Sequence, residues 1–288
     1  MVRHAVLQLA PEKGQVRRNL ARLEAALLEL AEDGPQVVVV PEAYPTGYFL
    51  QGGVRELALT VDELAEALDD LHRRAWEGPL DLVIGFYEKD EQSGDYFNTA
   101  AYFELGGRGL VHRHRKVFLP TYGVFDEERY LSRGHGVRAF DTRFGRAAIL
   151  ICEDFWHSIT STLAALDGAE VIYVPSASPA RGFSGPRPAN VERWRQLAMS
   201  VAAEHGVYVV LASLVGFEAG KGMSGGSLVA SPEGRILAQA PVFEEALLVA
   251  DLDLARIPPV RYDNPMLADL KSGLPILWND LRRVVEGL

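Results

Sequence analysis

The chain alternates short apolar runs with longer amphipathic stretches, which predicts strands interleaved with helices. Residues 37–40 are four consecutive valines, and such a β-branched run indicates a strand buried on both faces. Residues 16–31 repeat their leucines and alanines at helical spacing, and residues 190–205 form a second helical stretch that ends at Gly206, a residue favoured just past a helix. The predicted strands are 4–9, 37–40, 82–87, 98–104, 109–114, 146–151, 171–174, 207–214, 226–230 and 247–252, and the predicted helices are 16–31, 62–76, 159–166, 190–205 and 279–285.

Buried strands of the parallel type and hairpin-type pairs occur together, which favours mixed sheets with helices on their outer faces, a layered α/β fold. We expect residues 1–288 to form a single domain, because no linker, repeat or low-complexity tract divides them. The Pro- and Gly-rich segment 175–188 is interpreted as a long loop, since strands continue after it, and long ordered loops are often functional.

The net charge of −10 excludes most polyanionic partners, because an acidic protein repels nucleic acid and anionic membranes. The one short basic cluster, 112–116, is better explained as a strand edge that leads to a functional lysine. No run approaches the ~18 apolar residues of a membrane span, and the N-terminal segment does not resemble a signal peptide. With a single cysteine, no intramolecular disulfide can form. We therefore expect a cytoplasmic protein.

Three chemically capable side chains occur where predicted strands end. Glu42 follows the valine run, Lys116 follows strand 109–114, and Cys152 follows strand 146–151. Ligands bind at the carboxyl ends of strands in α/β folds, so these side chains could share one pocket.

A cysteine becomes a strong nucleophile only as a thiolate, and its free pKa is about 8.5. A carboxylate such as Glu42 can take the thiol proton, and an ammonium such as Lys116 can stabilise an oxyanion. Each residue also has a purely structural explanation. A lone cysteine is usually a small core residue, Glu42 could belong to a turn, and Lys116 could be a surface charge. On the residue pattern alone, both explanations stand.

The segments VVVVPEAYPTGY, HRHRKVFLP and ILICEDFW resemble, in order and spacing, the three motifs of the nitrilase or carbon-nitrogen hydrolase superfamily. The opening HAVLQLAP and the later VPSASP resemble it as well, so the similarity runs from about residue 3 to residue 253. The resemblance implies a four-layer αββα sandwich with its site at the strand ends.

The resemblance also implies roles for the motif residues. Glu42 would be the general base, Lys116 would stabilise the tetrahedral intermediate, and Cys152 would be the nucleophile. The backbone N–H of Glu153 would complete the oxyanion hole with Lys116.

Many members of the superfamily carry a second glutamate after the lysine. The phrase FDEERYLSRG aligns best with Glu127 in that place, and Glu128 is the rival one residue away. Two carboxylates beside one lysine would titrate as a coupled set.

Four neighbouring residues are candidates for contact with a substrate. Tyr48 could line the pocket, although a core position is equally plausible for an aromatic residue. The resemblance favours Trp156 as a pocket wall, and Ser176 and Ala177 should border the site because they end the strand after the cysteine motif. No metal or other cofactor is expected. His112 and His114 lie two apart on one strand, but the sequence offers no third ligand.

The most economical function is hydrolysis of a small amide, which releases ammonia through a Cys152 thioester. The CED form of the cysteine motif is commoner in amide-cleaving branches. The phrase LPTYGVFDEERY resembles the glutaminase part of NAD synthetases, but the chain leaves no room for a synthetase domain, so we expect a free-standing amidase.

The alternatives are an N-carbamoyl amine hydrolase, a nitrilase, or a non-catalytic member that acts in binding or assembly. The resemblance further implies a homodimer or larger homo-oligomer, in which the C-terminal extension 254–288 packs on a partner subunit.

Overall fold

The computed structural model describes residues 1–183 and 188–287, apart from the side chain of Gln51. Residues 184–187 of the predicted loop 175–188 lie outside this part. The strands are β1 (Val2–Gln8), β2 (Val37–Val39), β3 (Leu80–Lys89), β4 (Tyr96–Leu105), β5 (Gly109–Arg115), β6 (Ala139–Thr142), β7 (Gly145–Ile149), β8 (Val171–Ser176), β9 (Tyr208–Ser213), β10 (Val215–Glu218), β11 (Lys221–Ser224), β12 (Leu228–Ala230), β13 (Ile236–Gln239) and β14 (Ala246–Leu252). The helices are α1 (Val16–Leu30), α2 (Val54–Leu57), α3 (Val61–Ala75), α4 (Glu153–Trp156), α5 (Ser158–Leu166), α6 (Ala189–His205), α7 (Ile257–Asp263) and α8 (Met266–Glu286).

The strands form two six-stranded mixed sheets and one separate hairpin. The first sheet has the order β14-β1-β2-β3-β4-β5, and the second has the order β13-β12-β9-β8-β7-β6. The central pairs of both sheets are parallel, and the outer pairs are antiparallel. Strands β10 and β11 pair with each other and belong to neither large sheet, and Met223 of β11 also forms an isolated bridge with Pro179. Consequently β2 and β7, which precede Glu42 and Cys152, are inner parallel strands of different sheets.

The two sheets pack face to face, and helices cover their outer surfaces. Valines of β2 and β3 share one buried cluster with aliphatic residues of β7 and β9. Helices α1 and α3 bury Leu27 and Leu68 against the first sheet, and α6 packs on β9 and β12 of the second. This arrangement is the predicted four-layer αββα sandwich. No helix in the described residues is long and apolar enough to cross a membrane.

Local sequence signals account for several helix boundaries. Thr60 and Glu63 form a capping box at the start of α3, where the Thr60 Oγ1 accepts from the Glu63 N–H at 3.1 Å and the Glu63 carboxylate accepts from the Thr60 N–H at 2.8 Å. Helix α6 ends as predicted, with Gly206 at φ 58°.

The structure adds elements that the sequence pattern did not predict. Strands β6, β10, β11 and β13 are each four residues long, too short to show a clear period. The last helix begins 13 residues before the predicted range 279–285. Pro265 lies at its N-cap, where a proline is compatible with a helix, whereas Pro275 lies inside the helix, where it removes one backbone donor. Helix α8 contacts α5 and α6 but buries only Leu267.

Candidate active site

Glu42 follows β2 at the point where the chain turns out of the sheet. Gly85 on β3 makes this turn possible, because a Cβ at that position would lie 2.5 Å from the Glu42 Cα. The turn is fixed by hydrogen bonds from the Val40 N–H to the Val83 carbonyl (2.8 Å) and from the Tyr44 N–H to the Gly85 carbonyl (3.1 Å). The carboxylate of Glu42 is fully buried, so it needs a buried partner.

That partner is Lys116, directly after β5. Its Nζ lies 2.8 Å from the Glu42 Oε1 and 2.7 Å from the Glu127 Oε1. Glu127 reaches the site from the short helical turn Glu127–Arg129. Lys116 and Glu42 are 0% exposed, and Glu127 is 6% exposed. The structure therefore brings together three of the predicted residues as one buried ion cluster.

Two further side chains hold the carboxylates in place. The Asn98 Nδ2 of β4 donates to the Glu42 Oε1 at 2.7 Å, and the Tyr48 O–H donates to the Glu127 Oε1 at 2.5 Å. Tyr48 was predicted as a substrate contact, and here its phenol is occupied by the second carboxylate. The second oxygens of Glu42 and Glu127 have no hydrogen-bond partner in the described part of the chain, so each remains available to accept a proton.

The cluster has an unusual charge balance, with two carboxylates around one ammonium. Burial and the charge of Glu42 raise the pKa of Glu127 to about 7, against the opposing effect of Lys116. Burial lowers the pKa of Lys116, but the charges of Glu127 and Glu42 outweigh it and hold that pKa well above its ordinary value. Lys116 is therefore a permanent cation, and Glu127 exchanges its proton near neutral pH.

Cys152 lies three residues after β7, at a sharp turn into α4. Its φ of 45° is in a region that non-glycine residues rarely adopt, and such strain is common at functional sites. The Ser176 Oγ donates to the Cys152 Sγ at 3.4 Å, and the Ala177 carbonyl oxygen lies 4.0 Å from the same sulfur. Ser176 and Ala177, which were predicted to border the site, thus contact the thiol itself.

Burial and the charge of Glu42 raise the pKa of the Cys152 thiol well above its ordinary range, and Lys116 acts in the opposite sense. The resting cysteine is therefore a neutral thiol. It must lose its proton as it attacks, and Glu42 is the carboxylate whose charge it feels most strongly.

Asp154 joins the two halves of the site, which come from different sheets. Its Oδ1 accepts from the N–H groups of Val117 and Phe118 at 3.0 and 2.9 Å. Its Oδ2 accepts from the Ile151 N–H at 3.2 Å and lies 2.8 Å from the His114 Nε2. Asp154 is 0% exposed and thus ties the segment after Lys116 to the turn that carries Cys152.

The oxyanion-hole and wall candidates lie on α4. Glu153 is its first residue, and the first N–H groups of a helix have no acceptor within the helix. The Glu153 carboxylate accepts from the Tyr122 O–H at 2.9 Å. Trp156 packs edge-on against Trp194 of α6, with ring centroids 5.3 Å apart. This contact places Trp156 against helix α6 and does not support its predicted place in the pocket wall. That place stays a prediction.

The structure separates the rival glutamates. Glu127 points into the cluster, whereas Glu128 forms an exposed ion pair with Arg133. The two histidines of β5 also have different environments. His112 stacks on Phe140 at 4.2 Å, and His114 faces Asp154. In the part of the chain that the structure describes, no group of three or more His, Cys, Asp or Glu is placed to hold a metal ion.

A small cavity of about 60 Å³ borders Tyr48, Tyr87 and Glu127 but not Cys152. It therefore adjoins the second carboxylate rather than the nucleophile. Its walls are mostly apolar and include Phe49 and Phe125.

Asn98, Asp154 and Tyr122 take part in the site although the sequence analysis did not select them. Asp154 stands two residues after the cysteine in ICEDFW, so an acid in this motif was a usable signal. The sequence signal for Asn98 was weaker, since it was only a polar residue at the start of a predicted strand.

A strained thiol beside a lysine and two carboxylates is the composition of a site for acyl transfer through a cysteine. The comparisons agree with this class. The carbon-nitrogen hydrolase family model matches residues 3–262. The chain is 32% identical to a nitrilase of Pyrococcus abyssi, over 88% of this chain and 90% of that protein. It is 29% identical to omega-amidase NIT2-B of Xenopus laevis, over 89% and 90%. This chain belongs to the carbon-nitrogen hydrolase family.

Two further comparisons also extend over most of this chain. The chain is 32% identical to the glutamine-dependent NAD(+) synthetase of Rhodobacter capsulatus over 87% of its length, but it spans only 43% of that protein. The crystal structure of a carbon-nitrogen hydrolase from Helicobacter pylori superposes with a TM-score of 0.84 at 25% identity, covering 93% of this chain and 94% of that one.

Proposed function

We propose that this chain is an amidase that hydrolyses a small amide to a carboxylic acid and ammonia. The observation that carries the proposal is the buried cluster of Lys116 with Glu42 and Glu127 beside the Cys152 thiol. The cluster contains a nucleophile, a base for its proton and a fixed cation, which are the groups that acyl transfer through a thiol requires. The similarity to an omega-amidase supports the amide as substrate.

In the first half-reaction the Cys152 sulfur attacks the amide carbonyl carbon while Glu42 takes the thiol proton. The negative charge moves to the carbonyl oxygen, where the Lys116 ammonium and the Glu153 N–H stabilise it. Collapse of this intermediate breaks the carbon–nitrogen bond, the proton passes from Glu42 to the leaving nitrogen, and ammonia departs. The acyl group remains on the sulfur as a thioester.

In the second half-reaction Glu42 takes a proton from water, whose oxygen attacks the thioester carbonyl. The carbon–sulfur bond breaks, the sulfur recovers the proton, and the carboxylic acid leaves. Glu127 holds Lys116 in position throughout. Because its pKa lies near 7, it can also buffer the charge of the cluster between steps.

Nitrile hydrolysis is the second candidate, supported by the 32% identity to the Pyrococcus abyssi nitrilase. A nitrile carbon can accept the same sulfur attack, and two waters then convert it to an acid and ammonia. The site chemistry does not separate the two substrates, so a direct comparison is needed.

The test is ammonia release from a panel of small amides, glutamine, N-carbamoyl amines and nitriles, with Cys152→Ala as the paired variant. We expect turnover of amides, a 1:1 ratio of ammonia to acid, and loss of turnover by several orders of magnitude in the variant. Rapid quenching followed by mass spectrometry should find the acyl group on Cys152.

Each other outcome has a defined meaning. Faster turnover of nitriles or of N-carbamoyl amines would replace the amidase assignment by that activity. Ammonia release that persists in Cys152→Ala would contradict the mechanism. A folded protein that turns over none of the four classes would favour the non-catalytic alternative. Lys89→Met, on an exposed side chain, is the control and should leave turnover unchanged.

A further inference from the structure

Glu218 is a buried carboxylate that the mechanism above does not use. It ends β10 of the separate hairpin and is 2% exposed. Its Oε2 accepts from the backbone N–H of Tyr48 at 2.7 Å and from that of Phe49 at 3.0 Å. A carboxylate that accepts two backbone donors in a buried place makes strong, charge-assisted hydrogen bonds. The hairpin is thus fastened to the loop that carries Tyr48.

The same loop is held from its other side. The Tyr87 O–H of β3 donates to the Tyr48 carbonyl at 2.6 Å, so both backbone polar groups of Tyr48 are bound. Gly47 lets the carboxylate approach, because a Cβ there would lie 3.2 Å from the Glu218 Oε2, and its φ of 77° disfavours any side chain. These contacts hold the loop on two sides, and the Tyr48 phenol on it donates to Glu127.

We propose that Glu218 is a positioning residue of the active site, which acts through Tyr48 on the carboxylate of Glu127. This inference rests on the proposed function for its kinetic consequence, although the contacts themselves do not depend on the substrate.

The groups that face Glu127 determine the direction of the effect. Lys116 and the Tyr48 hydrogen bond lower the pKa of Glu127, whereas burial and Glu42 raise it to about 7. The Asn98 Nδ2 lies 3.4 Å from its Oε1. Loss of the phenol removes a donor to the ionised carboxylate, so the pKa of Glu127 should rise.

Glu218 has charged neighbours of its own, and these also bear on the test. Burial is the main cause that raises the pKa of Glu218, Glu42 raises it further, and Lys13 lowers it. A neutral replacement therefore removes a negative charge near Glu42. Glu218→Gln removes the charge but keeps an oxygen that can accept from the N–H groups of Tyr48 and Phe49. Glu218→Ala removes the charge and the accepting oxygen.

The experiment measures the pH dependence of two rates, ammonia release and alkylation of Cys152 by 2-iodoethanol, a reagent without an amide or nitrile group. Alkylation needs no substrate. Its rate should depend on the ionisation of Glu127, because this carboxylate and the Cys152 thiol both act on the charge of Lys116. In Glu218→Ala and in Tyr48→Phe, the inflection near pH 7 should move up by about one unit. The double variant should move no further than Tyr48→Phe alone, because both changes act on one hydrogen bond.

Two comparisons separate positioning from general stability. Glu218→Gln should restore most of the wild-type inflection. Glu104→Ala removes another buried carboxylate, one paired with Arg108, and should lower stability without moving the inflection. Equal inflections in wild type and Glu218→Ala, or shifts that add in the double variant, would overturn the proposal. If no substrate is turned over, the proposed function fails, and the alkylation profile still decides the role of Glu218.

Discussion

Replacing Lys116 by methionine would test whether the lysine stabilises two buried carboxylates at once. Methionine preserves most of the side-chain length but carries no charge. The side chains of Lys116 and Glu42 are 0% exposed and that of Glu127 is 5% exposed, with nitrogen–oxygen distances of 2.8 and 2.7 Å. Water therefore has no access to replace the lost ammonium.

The loss in free energy of unfolding caused by Lys116→Met should depend on pH, because the ionisation of Glu127 depends on pH. Removal of one partner from a buried ion pair costs about 3–5 kcal/mol. Lys116 lowers the pKa of Glu127, so its loss moves that pKa above the present value of about 7, while the unfolded carboxyl titrates near 4.5. Between these values the folded state binds more protons than the unfolded state. The free energy of unfolding contributed by Glu127 therefore falls as pH rises.

The assay is urea unfolding at pH 5 and pH 8 and at one protein concentration. We expect Lys116→Met to lower the free energy of unfolding by about 3–5 kcal/mol at pH 8 and by less at pH 5, where Glu127 holds a proton and the ion pair between Lys116 and Glu42 is the charged interaction that is lost. Adding Glu127→Gln should recover part of the loss at pH 8 and little at pH 5. The control Lys89→Met should change stability by less than about 0.5 kcal/mol. An equal loss at both pH values would refute the reasoning.

Three further predictions concern other parts of the molecule. Glu127→Gln should reduce kcat by about 10²–10⁴-fold, whereas Glu128→Gln should have little effect; the reverse order, measured by ammonia release, would reassign the second carboxylate. Asp154→Asn should lower the free energy of unfolding by about 1–3 kcal/mol, because the amide nitrogen replaces an oxygen that accepts from the backbone of Ile151 or of Val117 and Phe118; an unchanged urea midpoint would contradict this. We expect a homo-oligomer that uses α8, on which Ile276 and Val285 are 71% and 77% exposed; sedimentation should show a smaller species in Ile276→Glu, and a wild-type monomer at micromolar concentration would exclude it.

Hydrophobic periodicity was sufficient for the inner strands and for helices α1, α3 and α6. Strands β2, β8 and β9 are buried along their whole length, and β7 is buried from Ala147 onwards; such runs are visible in the sequence without knowledge of the neighbouring strand. The short edge strands were missed because their pairing depends on the neighbouring strand rather than on their own pattern. The full length of α8 was also missed, because its prolines resemble loop signals although the helix tolerates them.

The sequence predicted some residues of the candidate site but not all of their contacts. Glu42, Lys116 and Cys152 were predicted because each stands in a local motif at a strand end. The choice of Glu127 over Glu128 was made by alignment, and the short turn that points one carboxylate inwards and the other outwards agrees with it. The assignment of Tyr48 to substrate contact did not anticipate its hydrogen bond to Glu127.

The sequence by itself determined the fold class, the family resemblance and the residues able to carry out the chemistry, since these depend on local periodicity and on short motifs. Only the tertiary structure decided which buried polar groups meet. Glu218 and Tyr48 are 170 residues apart in the chain, and Asp154 is 37 residues from Val117. Such pairs have no sequence period because they arise where two sheets and a hairpin pack together, and burial then favours a partner for each polar group because an unpartnered one is costly.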